Sequence, residues 1–507
     1  MAARLVVVSN RIPLGSSASL ERETAGALSA ALHSHASMLW FGWSGRLAAD
    51  NAVRRVACAQ TSGAVDFIAM DLTEAQFDGY LNGFANGTLW PLLHEMPDYV
   101  RFHPEDLAIY HSVNATFAEQ LAPLLRSGDR IWIQDYHLIP VAAALRRAGI
   151  GCPIGLFLHA PFPVPHGLVA WPWHQKLATD LAAYDLIGFQ TRRDELNFES
   201  FMRAASTRFA TGSRNAGPRA MPRTGVFPVG INTRLHMTAA SSTELAERTA
   251  RLGHCLHDRD IILSTDRLDY TKGLTERLQA YEALLSEWQE VRCATTMVQV
   301  TAPSRTLVPG YLELRMEQQS MVERINARFM THGWMPVLDI YARLPQRSLA
   351  ALSRLARVAL ATPLRDGVNI ASKEYVAAQN PRDPGVLILS RSAGAAEMLS
   401  EAILVNPRDT RQTAHALRTA LRMPLEERQE RWRQMIVKLL HHDAVQWHQG
   451  YVEALAQAHN HASPPAVVST LPLAFRGRLP RHATPRAPAG RRAGLAARRA
   501  SAVRPGA

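Results

Sequence analysis

One stretch, residues 358–379, constrains the fold more than any other part of the chain. Residues 358–361 form an apolar run typical of a buried strand, and residues 363–367 form a turn after it. A helix is predicted over residues 369–379, with Asn369 as its N-cap. The sequence therefore predicts a strand, a loop and a helix in succession, as in an open α/β sheet.

This unit predicts an anion site at the end of the strand. Ligands of α/β sheets lie at the carboxyl ends of strands, where the first amides of a helix point at anions. The backbone amides of Ile370, Ala371, Ser372 and Lys373 are therefore candidates for holding a diphosphate. The carboxylates of Asp366 and Glu374 can face the same cleft and accept hydrogen bonds from hydroxyl groups. In the alternative interpretation, Asp366 is a turn residue and Glu374 lies on a solvated helix face.

The same pattern recurs where three other apolar strands end. Arg11 follows the strand at residues 5–9, Asp135 follows the one that begins at Ile131, and His159 follows the one that begins at Ile154. Arg11 could face an acceptor phosphate, and Asp135 could accept sugar hydroxyls. In the alternative interpretation, Arg11 is a surface arginine and His159 is a structural histidine.

A cationic loop follows a further strand, at residues 261–265. Arg267 and Lys272 lie in this loop, at the start of the next helix, where they would suit a leaving diphosphate. Arg305, after the strand at residues 297–300, could reach across as a second cation for the acceptor phosphate. In the alternative interpretation, the cations are solvated loop residues.

Near the amino terminus, Gly26 permits a close backbone approach to a sugar diphosphate.

Length and charge limit the class of protein. A chain of 507 residues suits two α/β domains, and the net charge of +12 includes nine arginines between residues 476 and 504. The body is therefore only mildly basic, and we expect residues 461–507, which lack apolar periodicity, to form a disordered basic tail. We expect no specific nucleic-acid partner and no membrane insertion, because no apolar run approaches the length of a span. The four cysteines form no CxxC pair, which fits the cytoplasm.

Several motifs resemble those of trehalose-6-phosphate synthases, which are retaining glycosyltransferases of the two-domain GT-B type. They are Pro363-Leu-Arg-Asp-Gly-Val-Asn369, Lys373-Glu-Tyr-Val-Ala-Ala-Gln379 and Arg267-Leu-Asp-Tyr-Thr-Lys-Gly-Leu274, and the resemblance covers about residues 4–458. It implies an α/β fold with two Rossmann-like domains facing across a cleft. Residues 1–230 would bind the acceptor and residues 231–440 the nucleotide sugar. A helix at 441–460 would return to the first domain, and the tail occupies 461–507.

The resemblance also implies a reaction and a set of site residues. Glucose would pass from UDP-glucose to glucose 6-phosphate, with no metal and no cofactor, because UDP-glucose is a substrate. The implied catalytic residues are His159, Asp366, Arg267 and Lys272. The implied donor residues are Gly26, Ala27, Arg267, Lys272, Leu344, Ile370, Ala371, Ser372, Lys373 and Glu374. The implied acceptor residues are Arg11, Trp40, Leu81, Trp90, Asp135 and Arg305, with Trp40 and Leu81 in loops at residues 39–45 and 80–91.

Three positions depart from the family pattern. Ala27 stands where the family has a second glycine, Leu81 where it has a tyrosine for the acceptor phosphate, and Gln134 where it has a histidine. A related synthase with another nucleotide or another phosphorylated acceptor, such as glycerol 3-phosphate or a cyclitol phosphate, remains an alternative. So does a regulatory homologue without turnover. The absence of Gly-x-Gly-x-x-Gly after the first strand argues against a dehydrogenase. Nucleotide preference and a homo-oligomeric state are left open.

Overall fold

Two sheets organise the described part of the chain. The computed structural model describes residues 4–13, 38–48, 55–62, 65–209, 221–256, 259–305 and 309–460. Both sheets lie in one compact unit that ends at Ala462. The two Rossmann-like α/β halves predicted from the sequence are confirmed, whereas the exact domain boundaries stay predictions.

The first sheet has the strand order β3-β4-β2-β1-β5-β6-β7-β8. All neighbouring strands run parallel except β3 and β4, which are antiparallel. The strands are β1 (Leu5–Arg11), β2 (Met38–Leu47), β3 (Arg55–Ser62), β4 (Val65–Leu72), β5 (Arg130–Gln134), β6 (Ile154–Phe157), β7 (Leu186–Phe189) and β8 (Arg223–Val226). Parallel strands align their carboxyl ends, so the residues after β1, β5 and β6 share one edge.

The α-helices described in this half lie between β4 and β8 in the chain. The α-helices are α1 (Glu74–Gln76), α2 (Trp90–Leu93), α3 (Pro104–Leu121), α4 (Val141–Arg147), α5 (Pro165–Val169), α6 (His174–Leu181) and α7 (Arg192–Phe209). Between α1 and α2 the chain forms a π-helix over Phe77–Leu89. The predicted acceptor loops were wrong in both places, because residues 39–45 lie in β2 and residues 80–91 are helical.

The second sheet is parallel, with the order β11-β10-β9-β12-β13-β14. Its strands are β9 (Asp260–Arg267), β10 (Thr295–Ala302), β11 (Val337–Tyr341), β12 (Val358–Ala361), β13 (Val386–Ser390) and β14 (Ile403–Val405). Its helices are α8 (Thr233–Ala240), α9 (Thr243–Cys255), α10 (Leu274–Glu287), α11 (Pro309–Phe329), α12 (Gln346–Leu355), α13 (Ile370–Ala378), α14 (Ala395–Met398) and α15 (Thr410–Arg422). The predicted strand at 358–361 and the Asn369 cap of α13 are both confirmed.

The chain ends its described part with α16 (Leu425–His441) and α17 (Ala444–Asn460). Helix α17 packs under the first sheet, where the ring of Tyr451 stacks on Trp132 of β5 at 4.7 Å between centroids. Trp447 lies 5.1 Å from the ring of Phe157 in β6. The predicted return of the last helix to the first domain is confirmed.

The two halves also share core contacts near the cleft between them. Tyr270, between β9 and α10, stacks on Tyr99 of the first half with 3.9 Å between ring centroids. Leu268 and Leu274 belong to the same buried cluster as the first sheet's core. None of the helices in the described ranges is long and apolar enough to cross a membrane.

Candidate active site

A cleft lies between the carboxyl edges of the two sheets. From the first half it is lined by Trp90, His94, Asp135, His159 and Ala160. From the second half it is lined by Thr265, Asp266, Arg267, Lys272, Asp366, Val368, Asn369, Ile370 and Ala371. The structure therefore brings together all four residues predicted to be catalytic.

Gly367 sets the close approach of the two halves beside the cleft, and Gly394 packs on Gly367 within the second half. A methyl group on Gly367 would overlap the backbone carbonyl oxygen of His159, and one on Gly394 would overlap the carbonyl oxygen of Gly367. Backbone therefore packs on backbone at this point. The loop that carries Asp366 lies directly against the strand end that carries His159.

Two arginines of the second half flank Trp90 of the first half. The guanidinium carbons of Arg267 and Arg305 lie 4.8 and 4.1 Å from the centre of its ring. Both pair with the buried Asp269, at 3.1 and 3.8 Å. Burial alone would raise the pKa of Asp269, but the two guanidinium groups hold it below its usual value. The carboxylate therefore stays charged and holds both arginines at the cleft.

Arg305 reaches across to the first half, as the sequence analysis expected. Its guanidinium donates hydrogen bonds to the hydroxyl of Tyr136, at 3.2 Å, and to that of Tyr311, at 2.8 Å. Tyr136 in turn donates to the amide oxygen of Asn86 at 2.9 Å. One cation thus connects the loop after β10 to the edge of the first sheet.

Lys272 and Asp366 form a buried ion pair at the floor of the cleft. The ammonium lies 2.5 Å from Oδ2 of Asp366, and both side chains are 11 % exposed. The same oxygen accepts a hydrogen bond from Asn369 at 3.3 Å. Burial would raise the pKa of Asp366, yet the charge and hydrogen bond of Lys272 hold it below its ordinary value. Asp366 is therefore a carboxylate already engaged by two donors.

The first turn of α13 presents only part of the predicted amide set. Asn369 has a left-handed backbone (φ 64°), which asparagine tolerates, and its side chain accepts the amide of Ser372 at 3.1 Å. Ile370 and Ala371 line the cleft. The prediction was wrong for Ser372, whose amide is capped. The side chain of Lys373 is also directed elsewhere, to the carbonyl oxygen of Val229.

His159 is held as a neutral imidazole. Burial lowers its pKa to about 3, and its Nε2 lies 3.0 Å from the amide oxygen of Gln134. With the proton on Nε2, the ring donates to Gln134 and keeps Nδ1 as an acceptor. Gln134, for which the sequence offered no role, therefore orients this ring.

Asp135 is fixed by the backbone that follows β6. Its Oδ1 accepts the amides of His159 and Ala160 at 3.1 and 3.2 Å. Burial raises the pKa of Asp135 to about 6, although these hydrogen bonds oppose the shift. The residue also has a left-handed backbone, with φ 66°. Its second oxygen remains the candidate acceptor of a sugar hydroxyl.

Four of the six predicted acceptor residues are not among the residues that line the cleft, namely Arg305, described above, and Trp40, Arg11 and Leu81. Trp40 is 1 % exposed in the core and donates to Oγ of Ser9 at 2.7 Å, so its predicted role in stacking on a sugar was wrong. The guanidinium of Arg11 lies over the ring of Trp43, 5.6 Å from its centre. Leu81 is half-buried against the core of the first half.

Several predicted donor residues also lie away from the cleft. Glu374 accepts a hydrogen bond from Gln346 at 3.2 Å and lies 3.7 Å from His236, in a neighbouring groove between α8, α9, α12 and α13. Leu344 is half-buried against the core of the second half. Gly26 and Ala27 fall outside the described residues. The donor roles of these four residues stay predictions.

Two buried residues of the site, His94 and Asp269, were not predicted from the sequence. His94 contacts the carbonyl oxygen of Trp90 through Nδ1 at 2.8 Å, and burial lowers its pKa to about 3. Asp269 anchors Arg267 and Arg305. Asp269 lies inside one of the recognised motifs, but the sequence does not show which side chains it contacts. His94 lies in no motif.

The chain matches the sequence model of glycosyltransferase family 20 over residues 3–457. It is 39 % identical over 456 residues to the trehalose-6-phosphate synthase of Sinorhizobium fredii, covering 89 % of this chain and 98 % of that protein. It is also 39 % identical over 474 residues to that of an Enterobacter species, covering 92 % and 97 %.

Solved structures give the same result. A UDP-forming α,α-trehalose-phosphate synthase from Burkholderia xenovorans, in complex with glucose-6-phosphate, superposes with a TM-score of 0.82 at 38 % identity, over 90 % of this chain and 100 % of that one. An E. coli structure bound with UDP-2-fluoro glucose gives 0.79 at 38 % identity, over 90 % and 99 %. The fold, the cleft and these likenesses agree, and the chain belongs to glycosyltransferase family 20.

Proposed function

We propose that this chain is a retaining glucosyltransferase that transfers glucose from UDP-glucose to glucose 6-phosphate, giving α,α-trehalose 6-phosphate and UDP. The observation that carries the proposal is the cleft in which Arg267, Lys272 and the start of α13 face the neutral His159. The relatives named above are trehalose-6-phosphate synthases. Two of the similar structures hold glucose-6-phosphate and a UDP-glucose analogue.

The donor diphosphate would lie between the two cations and the first amides of α13. Arg267 is 27 % exposed and Lys272 11 %, so both lie in a partly dry site where their charges act strongly. Negative charge grows on the leaving phosphate oxygen as the bond to C1 of glucose breaks. Donors fixed before the reaction stabilise this charge most in the transition state. We propose that Arg267 and Lys272 supply this stabilisation without a metal or another cofactor.

The carboxylates of the cleft favour a route without an enzymic nucleophile. Lys272 and Asn369 already engage Asp366, and two backbone amides engage Asp135. We propose that the anomeric hydroxyl of glucose 6-phosphate attacks C1 from the face that UDP leaves. Its proton passes to the departing phosphate oxygen, and the new bond keeps the α configuration.

The neutral state of His159 suits this route. Positive charge develops on the sugar ring as the bond to phosphate breaks, and an imidazolium would repel it. Because burial lowers the pKa of His159 to about 3, the ring is neutral at physiological pH and contributes a dipole instead.

The acceptor would lie on the side of the cleft formed by Trp90 and Asp135. Arg305 is the proposed cation for its phosphate, because it stands at the boundary between the halves. The ionised Asp135 would accept a hydrogen bond from a hydroxyl group of the acceptor. The described helices include none that could span a membrane, and we propose a cytoplasmic location.

A matrix of donors and acceptors tests the proposal. UDP-, GDP- and ADP-glucose are each combined with glucose 6-phosphate, glycerol 3-phosphate and a cyclitol phosphate, and products are identified by mass spectrometry and NMR. UDP-glucose with glucose 6-phosphate should be the preferred pair. Preference for another acceptor would replace the proposal with a related synthase, and UDP binding without turnover would indicate a regulatory homologue.

A further inference from the structure

A further cavity, with both polar and apolar lining residues, lies where the chain passes between the two halves. The chain leaves the first sheet after β8 and returns between α16 and α17, and a methyl group on Gly230 would overlap the backbone of Asp443. The two crossing segments therefore pack on each other. Beside them is a cavity, here called the crossover cavity, lined by Gln190, Pro228, Lys373, Glu397, Lys438 and His442 among others.

Two buried side chains form hydrogen bonds with the same residue of the first crossing segment. The amide oxygen of Gln190 accepts the backbone N–H of Val229 at 3.0 Å, and Nζ of Lys373 donates to the carbonyl oxygen of Val229 at 2.5 Å. Gln190 is 4 % exposed and Lys373 1 %. Both polar heads are therefore held at Val229, and each keeps N–H groups that do not bond to it.

These leftover donors have no acceptor within the described part of the chain. Nε2 of Gln190 is buried without a hydrogen-bond partner, and no carboxylate in the described ranges forms an ion pair with Lys373. Buried amides and buried ammonium groups are normally satisfied, because leaving them unpaired costs free energy. The pair therefore calls for an acceptor that carries negative charge.

The charge around the cavity points the same way. Lys438 adds a positive charge, although its ammonium is bonded to Glu401 and Ser400. Burial lowers the pKa of His442, and the charge of Lys373 lowers it further, so the field of Lys373 extends to this residue. Glu397 is the opposing group. It accepts the amide of Arg192 at 3.4 Å, and burial raises its pKa.

We propose that the crossover cavity binds a small oxyanion of the phosphate type, held by Nζ of Lys373 and Nε2 of Gln190. This cavity adjoins the catalytic cleft, because Val368 lines both, but its proposed donors differ from the diphosphate cations of the cleft, Arg267 and Lys272. An anion there would satisfy both orphan donors and tie α13 to the crossing segment. The proposal does not depend on the identity of the substrates.

Inorganic phosphate is the probe, titrated at pH 7 and constant ionic strength with chloride as the reference salt. At this pH the ammonium form of Lys373 predominates, because burial lowers its pKa only to about 8. Binding is measured by calorimetry and by the melting temperature of the full chain.

Gln190→Glu keeps the oxygen that accepts a hydrogen bond from Val229 but replaces the free donor with an acceptor, so the affinity for phosphate should fall at least about tenfold. Glu397→Gln removes the opposing charge and should tighten binding.

Two further variants locate the effect. Gln289→Glu makes the same change at an exposed position and should leave the phosphate response intact. Arg305→Ala removes a cation of the cleft and should also leave it intact. An absent response in the unmodified protein, or an equal response in Gln190→Glu, would overturn the proposal. So would a response lost in Arg305→Ala but kept in Gln190→Glu, because phosphate would then bind in the cleft.

Discussion

Removing the ammonium of Lys272 should damage both turnover and folding, because this group makes two separate interactions. It is 11 % exposed and lies 2.5 Å from Asp366, so Lys272→Met leaves a buried carboxylate without its cation. Breaking such a pair costs about 3 to 5 kcal/mol of unfolding free energy. Separately, the activation free energy should rise by about 2 to 4 kcal/mol, because the lost contact strengthens in the transition state. This increase lowers kcat roughly 30- to 800-fold.

The double variant Lys272→Met/Asp366→Asn separates the two effects. Neutralising Asp366 removes the uncompensated buried charge, so urea unfolding should show most of the lost stability restored. Turnover should stay low, because the diphosphate still lacks its cation. Unfolding is measured by fluorescence and turnover by the release of UDP.

Arg251→Met provides a matched control. Arg251 also pairs with a carboxylate, that of Glu247, but the two side chains are 69 % and 65 % exposed. Exposed pairs contribute at most about 1 kcal/mol, so this variant should change neither measurement strongly. Near-normal turnover in Lys272→Met, or restored turnover in the double variant, would contradict the assignment of Lys272 to the leaving group.

Three further outcomes are expected. Gly367→Ala should lower stability by about 1 to 3 kcal/mol and reduce activity, since its methyl group meets the carbonyl of His159, whereas Gly151→Ala, which has open space, should do neither; equal effects would refute the close packing. Burial raises the pKa of Asp135 to about 6, so its carboxylate becomes protonated as the pH falls through 6, and the KM for the acceptor should rise. Asp135→Asn should lack this inflection but keep the one caused by ionisation of the substrate phosphate. Activity should survive EDTA, and loss that Mg²⁺ or Mn²⁺ restores would reject the metal-free site.

Local sequence signals predicted the fold well where they act over a few residues. The strand at Val358–Ala361 is a run of buried apolar residues, and the N-cap of α13 needs only Asn369 and the amide three positions later. Such units depend on short-range hydrogen bonds and burial. For the same reason the positions of Asp135 and His159 after their strands were predictable.

The face of a strand was harder to predict. Trp40 and Trp43 both fit an aromatic, glycine-rich motif, but they are three residues apart on β2, so their side chains point to opposite faces of the sheet. Trp40 joins one buried cluster and Trp43 another, where it meets Arg11. Taking residues 39–45 as a loop hid this alternation.

Contacts between the halves could not be predicted from local patterns at all. Asp269 lies near the indole nitrogen of Trp90 across 179 positions, and Arg305 meets Tyr136 across 169. Only the packing of one half on the other creates these contacts. His94, whose partner is the neighbouring Trp90, became a site residue for the same reason, because the cleft forms only when both halves are present.

The anomeric configuration of the product tests same-face transfer directly. Purified full-length protein is incubated with UDP-glucose and glucose 6-phosphate, and the new disaccharide phosphate is examined by proton NMR. The expected product is α,α-trehalose 6-phosphate, with a small coupling at each of its two α-anomeric protons and one UDP released per product. A β-linked product, or UDP release without any disaccharide phosphate, would contradict same-face transfer in this cleft.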